Sequence, residues 1–366
     1  MRFPPIQYHD YLKLDSLLGS VALRSEHFGK PAHEEHLFII VHQAYELWFK
    51  QLLHEVDSVL SLFQQKPMAE ENVGLIVFRL ERCVAIQKLI NQQIDVLETM
   101  TPQDFLEFRD FLYPASGFQS FQWRMIETKF GLKNRVPFTD SPFFKSLLPD
   151  QSSRIQKALA EPSLFVAVEE WLERLPLAST PVFEFWSSYE SAVLGLLRED
   201  EKTIQENPRL GPSEKERSLT QIGMVREQLR ALSSEPEYQK LLDQGFFRIS
   251  LKALRSALFI QLYRDKPLFQ QPHRLIQSLM DLDEKQTEWR SRHAQMVHRM
   301  IGRKIGTGGS SGHDYLKATA EQHKVFADFF SLSSFYISSS ARPQLPAEID
   351  RRLNFSLRED LRSRSE

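Results

Sequence analysis

Three places in this 366-residue chain set a polar side chain four residues from an aromatic one: Phe38 with His42, Phe105 with Arg109, and Trp289 with His293. That spacing brings both members of a pair onto one helix face, so each pair can line a pocket. His42 stands in LFIIVHQAYELWF, residues 37–49, where only His42, Gln43 and Glu46 interrupt apolar side chains. An imidazole there must find a hydrogen-bond partner or a ligand, because unsatisfied ring nitrogens are costly to bury. Taken alone, it reads first as a satisfied core histidine and second as a site histidine. Arg109 sits in DFLEFRDFLYP among Phe105, Phe108 and Phe111. A guanidinium so placed either pairs with Asp110, Glu107 or another acid, or receives a ligand carboxylate in its two-pronged fork.

His293 shares a helical stripe with Trp289, Met296, Val297 and Met300, while His298 points away among Arg292, Arg299 and Arg303. An imidazole on a greasy, aromatic face suits a haem iron, which needs one axial ligand and an apolar socket; a plain core stripe fits the same residues. GTGGSSG, residues 306–312, carries four glycines in seven but is not a phosphate loop. It lacks G-K-[ST], has Ser311 where G-x-G-x-x-G needs glycine, and follows a helix instead of a strand. It is either a helix C-cap with a loose loop or a lid that presents the Thr307 hydroxyl to a ligand. His33-Glu34-Glu35-His36 has its histidines three apart, where a zinc helix needs four. Cys83 is the only cysteine, which excludes an intrachain disulfide, a C-x-x-C zinc site and covalent C-x-x-C-H haem attachment.

The elements that must position these groups read as helices. Residues 8 to about 28 carry Tyr8, Tyr11, Leu12, Leu14, Leu17 and Leu18 at helical spacing and are expected to form one amphipathic helix ended by Gly29. Pro31 suits a first helical position, with Glu34 and Glu35 at the positive end of the dipole. The FIIV run is strand-like by itself, but its flanks continue a helical pattern well past strand length. A further helix is expected from about 71 to 99, and another after Thr101 as cap and Pro102 as first residue, broken by PASG at 114–117. Residues 131–151 and 175–181 read as loops. Segments 183–205 and 213–233 form a charged helical hairpin, and RISLKALRSALFIQLYRD and the long run from His273 to Lys304 follow as helices. No internal repeat or convincing strand pair is present, so the expectation is an all-α helical bundle. It comprises one domain over 1–340 with an excursion at about 183–235, then a polar tail over 341–366.

Hydrophobic residues make up 42% of the chain and aromatics 11%, enough for a sizeable core. Basic and acidic residues nearly cancel, 46 against 48, which removes the electrostatic footprint of a nucleic-acid or anionic-membrane binder. MRFPPIQYHDYLKLD lacks the apolar core of a secretory signal, and no run approaches membrane-spanning length. A soluble, cytoplasmic protein with a neutral small-molecule partner is expected.

YHDYLKLD, HEEHLFIIVHQAYELWFK, FLEFRDFLYPASGFQSFQWR, WRSRHAQMVHRMIG and GTGGSSGHDYL, in this order, resemble the tryptophan 2,3-dioxygenase family. EPSLFVAVEEWLERLP and RISLKALRSALFIQLYRDKP fill the middle as in its longer, animal-type members. The resemblance implies the all-α haem-binding bundle of the tryptophan and indoleamine dioxygenases, with one non-covalent haem b per subunit. The implied reaction inserts both atoms of O2 across the indole C2–C3 bond of L-tryptophan, giving N-formyl-L-kynurenine in the first step of the kynurenine pathway. It further implies that His293 is the axial iron ligand, with Trp289 and Ser116 on the haem side. His42 would hydrogen-bond the indole N–H, orienting it without having to remove its proton. Phe38, Ile39, Ile40, Val41 and His42 would form the substrate wall, Arg109 would clasp the carboxylate, and Thr307 with a haem propionate would hold the ammonium. Tyr8, Tyr11 and Leu12 would reach a neighbouring subunit's pocket in a homotetramer. Some members carry Tyr where this chain has Phe105, so Arg109 would act without that hydroxyl; His36 stands where many carry a neutral side chain. The related indoleamine dioxygenases carry Ser in place of His42, which favours the stricter tryptophan enzyme. The competing readings are a haem oxygenase for another indole, a dioxygen sensor or carrier, and a helical scaffold whose histidines are core.

Overall fold

The structure, a computed structural model, describes residues 3–66, 68–132, 144, 147–175, 179–180, 183–302, 304 and 324–354. It bears out the all-α class. A two-residue antiparallel ladder, Ser179–Thr180 with Phe183–Glu184, departs from the expectation of no strand pair but is too short to form a layer.

The amino-terminal expectation needs correction. The single helix over 8 to 28 is three short ones, α1 (Tyr8–Leu12), α2 (Leu14–Leu18) and α3 (Arg24–His27). Lys13 takes the left-handed conformation (φ 52°, ψ 45°) between the first two, and neither buries a residue. Short helices draw most of their stability from a packed face, and among the described residues these two find little: only Leu14 is half-buried. Gly29, at φ 68°, turns the chain after α3 at a conformation that a side chain would disfavour. Pro31 lies ahead of α4 (His33–Phe63) and not at its first position.

Glu35 explains where α3 sits. Its carboxylate is 1% exposed and accepts the backbone N–H groups of Arg24 (3.0 Å) and Ser25 (2.9 Å), two donors that the start of α3 leaves without helical partners. Ser25 Oγ accepts from the Ala32 N–H, and Arg24 Nε donates to the Phe111 carbonyl. Glu35 therefore caps a neighbouring helix, beyond the role in its own helix dipole that its position predicts.

The expected helix over 71–99 is α5 (Asn72–Leu97). Thr101 and Pro102 open α6 (Pro102–Leu112) as predicted, and Asp104 completes a capping box in which each side chain accepts the other's backbone N–H. After PASG come α7 (Phe121–Phe130), capped by Ser120, and α8 (Pro149–Ala160). Further along lie α9 (Leu164–Arg174), α10 (Phe185–Glu206), α11 (Pro212–Ser233), α12 (Glu235–Asp243), α13 (Leu251–Leu262) and α14 (Pro267–Ile301). Two short helices, α15 (Ala327–Ser331) and α16 (Ala347–Leu353), end the described chain; α16 falls in the stretch expected to be a polar tail.

The chain divides into two compact units. The first comprises Met1–Ser58, Glu81–Ser163 and Leu282–Val325. Its core takes Val41, Tyr45, Phe49, Leu52 and Val56 from α4, Ile90 and Ile94 from α5, Phe108 from α6 and Ile126 from α7. Arg292 on α14 reaches the Asn91 carbonyl and the carboxylates of Asp95 and Glu98, and Asn91 Nδ2 returns a bond to the Lys285 carbonyl. These bonds fix the rotation of α14 against α5 within this unit.

The second unit comprises Val59–Leu80, Leu164–Asp281 and Phe326–Glu366. The expected charged hairpin is α10 packed on α11, joined by an Arg226–Glu201 pair at 2.6 Å. Its centre is aromatic: Phe185 stands edge-on to Phe259 at 4.7 Å, and the Tyr189 hydroxyl donates to the Phe335 carbonyl. Buried Asp328 accepts the backbone N–H groups of Arg248 and Ile249 just before α13.

Glu35→Ala leaves two buried N–H donors without their charged acceptor, which costs about 2–4 kcal/mol. Urea unfolding of the purified protein should show the free energy of unfolding fall by that amount and the midpoint fall with it, with Glu35→Gln losing less. An unchanged midpoint for the alanine variant would show that α3 is held by something else.

Candidate active site

The first unit brings Phe38, His42, Phe105, Arg109, Trp289 and His293, six of the predicted site residues, onto adjoining surfaces. Phe38, His42, Tyr45 and Phe49 recur on α4 at helical spacing and form one aromatic face. Phe38 meets His42 at 4.1 Å between ring centroids, Phe105 at 5.8 Å and Phe108 at 5.5 Å. α6 thus lays its aromatic side against α4, and Arg109, one turn after Phe105, is half-buried beside it.

The rings continue to the second histidine. Tyr45 lies edge-on to His42 (6.4 Å) and to Trp289 (6.3 Å), and Trp289 lies parallel to His293 at 5.2 Å with an 8° interplanar angle. Trp289 also contacts Trp123 of α7 at 4.6 Å. Burial pushes the Tyr45 phenol up to about 12, so it stays protonated at neutral pH.

His42 has a defined tautomer. Its Nδ1 lies 2.7 Å from the Phe38 carbonyl oxygen. A carbonyl only accepts, so Nδ1 carries the proton and donates it, which leaves Nε2 of the neutral ring as an acceptor. Burial pushes the ring below its ordinary 6.5, against the opposing effects of the Phe38 hydrogen bond and Glu46. At neutral pH the face of α4 therefore offers one hydrogen-bond acceptor in an aromatic setting.

His293 is different. Burial holds its imidazole down at about 4, with His42 a smaller second cause, which places the two rings within electrostatic range. Although part of the residue is accessible, its Nδ1 is buried and meets no hydrogen-bond partner among the described residues. A neutral ring with an unsatisfied buried nitrogen, flanked by Trp289 and by buried Met296 and Met300, fits the axial imidazole and apolar wall that a haem requires. Among the described residues no three His, Cys, Asp or Glu side chains converge as a metal cage, and His33 and His36 are exposed.

Other predicted residues fall elsewhere. Val41 is buried in the core, Ile39 is half-buried, and Ile40 is 40% exposed. At 3.6 residues per turn Ile40 points about 160° away from His42, so the five consecutive residues of the expected wall do not face one side. Tyr8, Tyr11 and Leu12 are 73%, 70% and 40% exposed, and α1 buries none of its residues. Ser116 caps a short 3-10 turn, Gly117–Gln119, by accepting from the Phe118 N–H. Thr307 and GTGGSSG lie outside the described residues.

Sequence reasoning missed Tyr45, Trp123 and Glu127. Tyr45 was findable, three residues after His42 on the same stripe. Trp123 and Glu127 join the site through contacts between helices, which spacing along one helix does not report.

The tryptophan 2,3-dioxygenase family profile matches residues 4–336. A protein described as tryptophan 2,3-dioxygenase from Bdellovibrio bacteriovorus is 52% identical over 357 residues, covering 97% of this chain and 99% of that one. One of the same description from Dictyostelium discoideum is 45% identical over 354 residues (96% and 88%), and one from Rattus norvegicus is 44% identical over 342 residues (92% and 84%).

The native His42 ring resists a proton that an unfolded histidine accepts below 6.5, so it contributes stability that falls away as the pH drops through that value. In a histidine-labelled sample of the haem-free protein, the His42 resonances should keep the Nδ1–H pattern and titrate below 6.5. A midpoint at or above 6.5, or an Nε2–H pattern, contradicts the assigned tautomer.

Proposed function

The chain belongs to the tryptophan 2,3-dioxygenase family, and on that premise we propose that it inserts both atoms of O2 across the indole C2–C3 bond of L-tryptophan. The product is N-formyl-L-kynurenine, and the reaction opens tryptophan catabolism by the kynurenine route. The observation that carries this reading is the neutral, enclosed His293 imidazole, stacked on Trp289, whose Nδ1 meets no partner among the described residues.

His293 would hold the iron of one non-covalent haem b per subunit, with Trp289, Met296 and Met300 lining the macrocycle and Ser116 near its oxygen side. Bound there, a ferrous haem supplies the activation of dioxygen, and the protein supplies binding, orientation and exclusion of water. His42 accepts the indole N–H at Nε2, the nitrogen that its bond to Phe38 leaves free to accept. Because a hydrogen bond suffices to orient the ring, His42 need not take that proton. Phe38 packs on the indole and Phe105 adds an apolar edge without a hydroxyl. The Arg109 guanidinium would receive the carboxylate, and Thr307, with a propionate of the haem once bound, would hold the ammonium. A zwitterionic amino acid requires such a cation and a polar group at fixed distance from a flat apolar slot. The wall contributed by α4 narrows to Phe38 and His42 with Ile39 beside them, since Ile40 points away.

The exposure of Tyr8, Tyr11 and Leu12 supports a homotetramer in which this segment completes a neighbour's pocket: three large side chains are left uncovered within the chain. Among the described residues no helix is long and apolar enough to cross a membrane; the cytoplasmic location is part of the proposal.

His293→Ala should lose the Soret band of bound haem. His42→Ala should keep the band while turnover of L-tryptophan falls about tenfold or more, as expected when one orienting hydrogen bond is removed. A normal five-coordinate haem spectrum in His293→Ala, or loss of haem in His42→Ala, would overturn the assignment of the two faces.

A further inference from the structure

Trp289 contacts His293 on one side and Trp123 on the other, so the tilt of the Trp123 indole bears on both. The polar atom of Trp123 is anchored: its Nε1 donates to Glu127 Oε1 at 3.1 Å. Glu127 is fixed in turn, because the same oxygen accepts from Arg290 Nη2 at 3.1 Å and its other oxygen accepts from Arg124 Nη1 at 2.7 Å. The Glu127 and Arg290 side chains are only 8% and 5% exposed, and the Arg290 guanidinium lies over the Trp123 ring at 5.6 Å. Burying such an ion pair adds little net stability compared with apolar residues of the same size. What it does add is direction, since Arg290 and Arg124 hold the carboxylate in place and an indole bonded to it at one corner cannot turn without stranding its buried N–H donor. Two ring contacts, the tilted one between Trp123 and Trp289 and the stacked one between Trp289 and His293, then carry that orientation to the imidazole.

We propose that Glu127 is a positioning residue, which fixes the plane of the His293 imidazole through Trp123 and Trp289. The proposal rests on the reading of His293 as the haem ligand. Groups beyond the ligating side chain orient it, and their loss commonly costs roughly tenfold to a hundredfold in affinity or activity.

The test has a haem-free and a haem-loaded arm. In haem-free protein, two indoles 4.6 Å apart and inclined at 41° should give an exciton couplet in circular dichroism that Trp289→Phe abolishes. Glu127→Ala should cut the couplet by more than half, and Glu127→Gln, which still presents an acceptor oxygen to Trp123, should restore most of it. In loaded ferrous protein, the iron–imidazole stretching band in resonance Raman should shift or broaden in Glu127→Ala, and haem should dissociate roughly tenfold faster. If Glu127→Ala does not fold, Trp123→Phe decides, because it removes the anchored N–H and leaves the Glu127–Arg290 pair in place; it should show the same shift and faster haem loss. A wild-type couplet in folded Glu127→Ala, or a wild-type band and dissociation rate in Trp123→Phe, overturns the proposal. A couplet that depends on Glu127, together with unchanged haem loading in His293→Ala, would leave the orienting contact standing and remove the ligand assignment instead.

Discussion

An imidazole enclosed by aromatic rings cannot keep a proton at neutral pH, because the charged form loses its hydration and gains nothing comparable in return. His42 and His293 both live under this constraint. They answer it differently. His42 spends its one N–H on the Phe38 carbonyl and turns a lone pair outward, while His293 keeps a buried nitrogen that no described residue satisfies. One ring is thereby left able to accept a hydrogen bond, and on the proposed reading the other coordinates, with the surrounding helices keeping both rings buried.

That service explains features of the fold that otherwise look incidental. α4 is long and apolar because the face that carries the Phe38, His42, Tyr45 and Phe49 stripe runs on into the core at Leu52 and Val56, with Val41 buried beside it. α14 is clamped by Arg292 to α5 and by Arg290 to Glu127, on either side of the turn that carries Trp289 and His293. The capping box at Thr101 and Asp104 starts α6 at a defined residue, which sets the phase that brings Phe105 to Phe38.

Much of this was legible in the residues. Periodicity found the long helices, local capping chemistry found the start of α6, and i to i+4 spacing found the three pairs that could line a pocket. What was not legible depends on tertiary contact. The amino-terminal segment has helical spacing, yet without a surface to bury against it breaks at Lys13. Ile40 looked like part of a continuous wall because a family resemblance was carried over as a run of residues, whereas a helix shows only some of any five to one side. Glu35 and Glu127 look like ordinary surface acids in sequence; they matter because Arg24 and Ser25 are brought to the first from α3, and Arg290 of α14 to the second beside Trp123 of its own helix.

The central claim is that a single imidazole, that of His293, is the protein's bond to the haem iron. Electron–nuclear double resonance on ferric, haem-loaded protein grown with nitrogen-15 histidine measures it directly. The account predicts strong coupling to the nitrogen of one imidazole, which disappears when position 293 alone carries unlabelled histidine by segmental labelling. Coupling that persists in that sample, or the absence of any labelled-nitrogen coupling, would contradict it.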